Sequence, residues 1–82
     1  MYEVKVKESQ EIISLWSSAN NKSLPDIIKS NSEIYKWCKD NIKHTWCIDE
    51  LSSRYLVTYD RYHIYYFENE NDAVLAKLVW GI

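Results

Sequence analysis

The alternation of side-chain types is clearest in residues 54–67, RYLVTYDRYHIYYF, where nearly every residue is aromatic or β-branched. Such residues favour the pleated surface of a β-strand over a helix. Two alternating runs, 55–59 and 62–67, are separated by Asp60 and Arg61, which predicts a β-hairpin. Because Arg disfavours a positive φ, the loop is either two residues long or four residues around a type I turn. The register and the buried face stay open.

Shorter alternating patterns predict two further strands before the hairpin. Residues 2–7 are predicted to form a strand with one buried and one solvent-exposed face. In residues 45–49 apolar and polar side chains again alternate with a period of two. The segment between them has helical periodicity instead.

Serines divide the helical segment into pieces. Ser9 is placed to cap a first helix that runs to about residue 19, and Ser23 begins a second helix with Pro25 in its first turn. Ser32 either interrupts that helix or caps a third, so the segment is helical in two or three pieces. Two apolar faces follow from the spacing: Ile12, Leu15, Trp16 and Ala19, and then Ile34, Trp37, Cys38 and Ile42.

After the hairpin, the acidic run 68–72 offers two Asn caps and precedes a strongly apolar helix over residues 73–79. Gly81 is a natural stop for this helix. In an alternative interpretation, the helix ends near Lys77 and residues 78–82 form a short edge strand.

The elements together predict an α+β fold. We expect a three- to four-stranded, mainly antiparallel sheet with helices packed on one face, in the order β-α-α-β-β-β-α. The 82 residues are predicted to form a single domain, 1–82.

Composition narrows the function classes. Ten basic and twelve acidic residues give a net charge of −2, which is too balanced to drive phosphate binding by counterion release. The sequence contains neither a secretory leader nor an apolar stretch long enough for a membrane span, so we expect a cytoplasmic protein without a membrane role. Cys38 and Cys47 are expected to be free thiols in a reducing compartment.

Catalytic and metal-binding patterns are weak. Cys38, His44 and Cys47 lie within ten positions, but no fourth ligand lies nearby in a chelating spacing, so no metal site is predicted. The carboxylates of 49–50 and 68–72 are typical of solvated or capping residues. The chain contains no phosphate-binding, dinucleotide-binding or zinc-protease motif. We therefore expect a protein that is not an enzyme and uses no cofactor.

The surplus of hairpin aromatics is the strongest functional signal. Tyr and Arg dominate protein-binding hot spots, which predicts a partner-binding surface. Its residues would be Arg54, Tyr59, Arg61, His63 and Tyr65. Three other interpretations stay open: the same rings stack on single-stranded nucleic acid, the hairpin joins two copies in a homodimer, or Tyr55, Tyr62 and Tyr66 form core with Tyr59 and Tyr65 at its rim.

The C-terminal third also carries a resemblance. Its pattern is Tyr66-Phe67-Glu68, Asp72-Ala73-Val74-Leu75 and Leu78-Val79-Trp80-Gly81. This succession of aromatic strand, acidic turn, apolar segment and closing Trp-Gly resembles small accessory proteins of T4-like tailed bacteriophages. The resemblance implies a viral protein, expressed in the host cytoplasm, that binds and inhibits or redirects a host or bacterial-defence protein. It implies no catalytic residue.

Overall fold

The computed structural model describes residues 1–18, 23–49 and 62–81. These residues form an α+β fold, as predicted. Its elements are β1 (Tyr2–Lys7), α1 (Gln10–Ser18), α2 (Leu24–Asn31), α3 (Glu33–Asn41), β2 (Trp46–Ile48), β3 (Tyr62–Phe67) and α4 (Glu70–Trp80). The helical segment that the sequence left as two or three pieces is thus three helices.

Side-chain caps set three of the helix starts. The side chains of Ser23, Ser32 and Asn69 each accept a hydrogen bond from the backbone N–H three residues later, at 3.4, 3.2 and 3.1 Å. Each bond satisfies one amide that the first helical turn leaves without an intrahelical partner. The capping residues predicted for α2 and α3 are confirmed, and Asn69 is the one of the two candidate asparagines that caps α4.

The described strands form an antiparallel sheet in the order β1-β3-β2. Tyr2 lies opposite Phe67 and Lys7 opposite Tyr62, while Trp46 pairs with Phe67 from the other side. β3, the second arm of the predicted hairpin, is therefore the central strand. The first arm, 55–59, and the turn lie outside the described residues.

One face of this sheet joins the helices in a single apolar cluster. β3 contributes Tyr65 and Phe67, and β1 contributes Val4 and Val6, all nearly inaccessible to solvent. The buried side chains of the helices are Ile12, Leu24, Ile27, Ile28, Ile34, Cys38, Ala73 and Ala76. The predicted inward face of α1 is correct for Ile12, whereas Leu15 is exposed.

The end of α4 returns to the first strand. The N–H of Gly81 donates to the Lys77 carbonyl at 2.9 Å, and Gly81 forms an isolated antiparallel bridge with Val6. The alternative in which the helix ends near Lys77 is wrong, because α4 continues to Trp80. A Cβ on Gly81 would lie 2.4 Å from the Lys77 carbonyl oxygen, so the close approach at this stop requires glycine.

Candidate functional site

The predicted partner-binding residues have two different outcomes. Arg54, Tyr59 and Arg61 lie outside the described residues. His63 and Tyr65 lie in β3 and are 1% and 0% exposed. The expectation that these two side chains are open to a partner is wrong, because β3 turns them, together with Phe67, towards the helices and not towards solvent.

Both side chains instead belong to a buried polar cluster around Glu8, which lies between β1 and α1. The Glu8 carboxyl accepts hydrogen bonds from the Ser32 hydroxyl at 2.8 Å and from the Tyr65 hydroxyl at 3.0 Å. His63 Nδ1 lies 4.0 Å from the same carboxyl, and His63 Nε2 lies 2.8 Å from the Asp49 carbonyl oxygen. This cluster connects β1, α3, β2 and β3 within the core.

Burial changes the acid–base behaviour of the cluster. It raises the pKa of Glu8, although hydrogen bonds from Ser32 and Tyr65 act in the opposite direction. It lowers the pKa of His63, while the hydrogen bond to Asp49 opposes that shift. Burial and the nearby Glu8 raise the pKa of the Cys38 thiol to about 12, so Cys38 stays protonated and is a poor nucleophile.

The alternate side chains of β3 lie on the outer face of the sheet, away from the helices. Tyr62, Ile64 and Tyr66 are half-buried there. The Lys5 ammonium lies 5.0 Å from the Tyr62 ring centroid, and the Tyr66 hydroxyl donates to the Asp49 carboxylate at 3.1 Å. A carboxylate at this position opposes the approach of a phosphate backbone.

Four of the seven exposed large hydrophobic side chains in the described part of the chain lie on α4. Leu78 is 79% exposed, Val74 51%, Val79 49% and Leu75 42%. We call these four residues the aliphatic face. The opposite side of the helix packs on the sheet through small side chains, Ala73 and Ala76. The fold therefore buries the alanines of α4 and leaves its large aliphatic residues in water.

A shallow groove adds shape to the aliphatic face. It has a volume of about 380 Å³ and is lined by Val74, Lys77, Leu78 and Gly81. Its walls are mainly aliphatic, with the Lys77 side chain supplying a single cation. An arrangement of this kind is suited to binding apolar side chains and offers no acid–base pair for chemistry.

Sequence reasoning found α4 but not its exposed face. In residues 73–80, every position except Lys77 is apolar. A helix that is apolar on all sides is normally buried on all sides, so the overall apolarity of this helix does not predict that the sheet covers only one of them. The signal was the placement of the alanines at 73 and 76, one helical turn apart, since small residues allow close packing on one side while the large residues point away.

Other chemistry is sparse among the described residues. They contain no group of three or more His, Cys, Asp or Glu side chains that could hold a metal ion. Cys38 is buried, Cys47 is exposed, and both are free thiols. None of the four described helices combines the length and apolarity that crossing a bilayer requires.

Comparison with known proteins gives no match to a family model, a curated protein or a solved structure.

Proposed function

We propose that this protein is a non-catalytic interaction module that binds another protein through the aliphatic face of α4. The observation that carries the proposal is the exposure of Val74, Leu75, Leu78 and Val79 on one ordered helix. Exposed aliphatic side chains grouped in this way mark interaction sites. This proposal keeps the class of function expected from the sequence and moves the binding surface from the hairpin to the last helix.

The spacing of the face indicates the shape of the partner. Leu75 and Leu78 are three residues apart, and Leu75 and Val79 are four apart, so their side chains form a stripe along the helix. A stripe with this spacing is the pattern that a helix uses to fill an apolar groove. A flat interface of standard size engages about 20–30 residues a side, far more than the four residues of the aliphatic face. We therefore propose a partner that presents an apolar groove into which α4 docks.

The biological setting of the proposal comes from the resemblance to phage accessory proteins. On that basis the partner is a host or bacterial-defence protein, and docking of α4 inhibits or redirects it. The aliphatic face supports binding by its chemistry, and the resemblance supplies the class of partner.

The test compares two matched substitutions of exposed leucines. Leu78→Lys places a charge in the centre of the aliphatic face, whereas Leu15→Lys makes the same change on α1. Tagged wild-type protein and both variants are used for affinity capture from bacterial lysate. Each captured protein is then purified and added to isotope-labelled wild-type protein, and the amide chemical shifts are recorded by NMR.

We expect one captured protein to be lost with Leu78→Lys, to be retained with Leu15→Lys, and to shift the α4 amides when added pure. Circular dichroism should show that both variants keep the fold. Equal capture by the two variants, or shifts confined to residues away from α4, would contradict the proposal. A dimer that light scattering detects and Leu78→Lys dissociates would show instead that a second copy covers the face.

A further inference from the structure

The buried cluster around Glu8 places two titratable side chains, Glu8 and His63, close together. The Glu8 and His63 side chains are 2% and 1% exposed, and Glu8 Oε1 lies 4.0 Å from His63 Nδ1. Nδ1 has no hydrogen-bond partner among the described residues. A buried polar atom without a partner is costly, so the protonation states of this pair affect the stability of the fold.

The hydrogen bonds determine which nitrogen of His63 carries a proton. Nε2 lies 2.8 Å from the Asp49 carbonyl oxygen, and a carbonyl oxygen only accepts hydrogen bonds. Nε2 must therefore be the donor, and in the neutral ring Nδ1 has a bare lone pair. Nδ1 lies 4.0 Å from Glu8 Oε1, and two acceptors this close without a proton repel each other.

We propose that Glu8 and His63 hold one proton between them in the folded protein, as a neutral carboxyl–imidazole pair, and that losing this proton at alkaline pH loosens the contact that joins β1, α3 and β3. With one proton, the pair has no net charge. With none it leaves a bare carboxylate in the core, and with two it leaves a bare imidazolium. Both charged states are penalised because the core solvates an ion poorly.

Titratable and polar groups from several elements surround the pair. Tyr65 in β3 and Ser32 at the start of α3 donate hydrogen bonds to Glu8, and the thiol of Cys38 in α3 lies near it. Asp49, after β2, acts on His63 through its carbonyl and its charge. A cavity of about 120 Å³ against Glu8 is lined by Lys7, Glu33 and Trp80 among others.

This balance predicts how stability varies with pH. Burial raises the pKa of Glu8, so the folded chain loses the Glu8 proton at a higher pH than the unfolded chain, which loses it at about pH 4.3. The pKa of His63 is lowered by burial, so the unfolded chain binds a proton below about pH 6.5 that the folded chain does not. With the proposed proton in place, the folded state holds one proton more than the unfolded state above about pH 6.5, and stability falls as pH rises.

The experiment compares the pH dependence of unfolding in three proteins: wild type, Glu8→Gln and Glu11→Gln. The Glu8→Gln amide resembles the protonated carboxyl and cannot lose a proton, whereas Glu11→Gln makes the same change of charge at an exposed site in α1. Urea unfolding is measured between pH 6.5 and 8.5. We expect the unfolding constant of wild type and Glu11→Gln to rise by up to tenfold per pH unit, and that of Glu8→Gln to rise much less.

Equal slopes for wild type and Glu8→Gln would overturn the proposal, whatever the absolute stability of the variant. A second measurement serves if Glu8→Gln fails to fold. The carboxyl carbon of Glu8 and the ring nitrogens of His63 are observed by NMR in labelled wild-type protein at pH 6.5. We expect a protonated Glu8 and a neutral His63 with its proton on Nε2, and an ionised Glu8 beside neutral His63 would equally overturn the proposal.

Discussion

Ser32 shows how one side chain can connect local and distant structure. Its oxygen accepts the Tyr35 N–H and so caps α3, while its hydroxyl proton is donated to Glu8 at 2.8 Å. The cap was predictable, because Ser before Glu and an apolar run is a recognisable helix start. The bond to Glu8 was not, because an acidic residue between a strand and a helix is usually solvated, and Tyr65, the other donor to Glu8, lies 57 positions away.

Ser32→Ala should therefore cost more than an ordinary cap. We expect a loss of about 2–4 kcal/mol in the free energy of unfolding, of which about 1 kcal/mol is the cap and the rest is the buried carboxyl left short of a donor. Ser23→Ala is the control, because Ser23 caps α2 at an exposed site; it should cost about 0.5–1 kcal/mol. Urea unfolding at pH 6.5 measures both, and equal losses would argue against a role for Ser32 beyond capping.

At the scale of the element, α4 shows what a pattern of hydrophobic residues does and does not determine. Its start at Asn69 and its stop at Gly81 follow from local chemistry that is visible in the sequence. Its orientation does not, because positions on both sides of the helix are apolar and the period of 3.6 residues is lost. Packing determines the orientation of α4, because the small side chains of Ala73 and Ala76 allow the helix to lie close to β1.

A larger side chain on the packed side of α4 should be poorly tolerated. Ala76 is 1% exposed, so Ala76→Leu forces three extra carbons between helix and sheet. We expect a loss of about 1–3 kcal/mol from this overpacking. Val74→Leu on the aliphatic face should change stability by less than about 0.5 kcal/mol. Thermal unfolding followed by circular dichroism compares the two, and an equal effect of both substitutions would mean that the helix packs differently.

At the scale of the whole molecule, the sheet connects parts of the described chain that are distant in sequence. β1 pairs along its full length with β3, with Tyr2 opposite Phe67, while α2 and α3 contact each other as neighbours in sequence. The class of fold followed from the order of periodicities. The strand order did not follow from the periodicities, because the alternation in β3 suits a central strand and a hairpin arm equally well. Contacts between residues distant in sequence determine which strands pair.

This difference in contact range predicts an order of folding. Closing a long loop costs entropy before any contact compensates for it, so the β1–β3 pairing should form after the helices have begun to pack. Val4→Ala in β1 should mainly speed unfolding, with a φ-value below about 0.2, and Ile28→Ala in α2 should slow folding, with a φ-value above about 0.5. Both residues are buried, so stopped-flow tryptophan fluorescence should resolve both effects. A higher φ-value for Val4→Ala than for Ile28→Ala would reverse the order.

The central position of β3 also has a consequence for the protein during its synthesis. β1 leaves the ribosome many residues before β3 is synthesised. In the described sheet β1 pairs with β3 and not with β2, so until β3 is made β1 has no strand of that sheet to pair with. Its valines then remain in water, and its unpaired edge is open to chaperones or to other nascent chains. The β1–β3 pairing can be completed only after residue 67 has left the ribosome exit tunnel. The rate at which the second half of the mRNA is translated therefore determines how long β1 stays exposed.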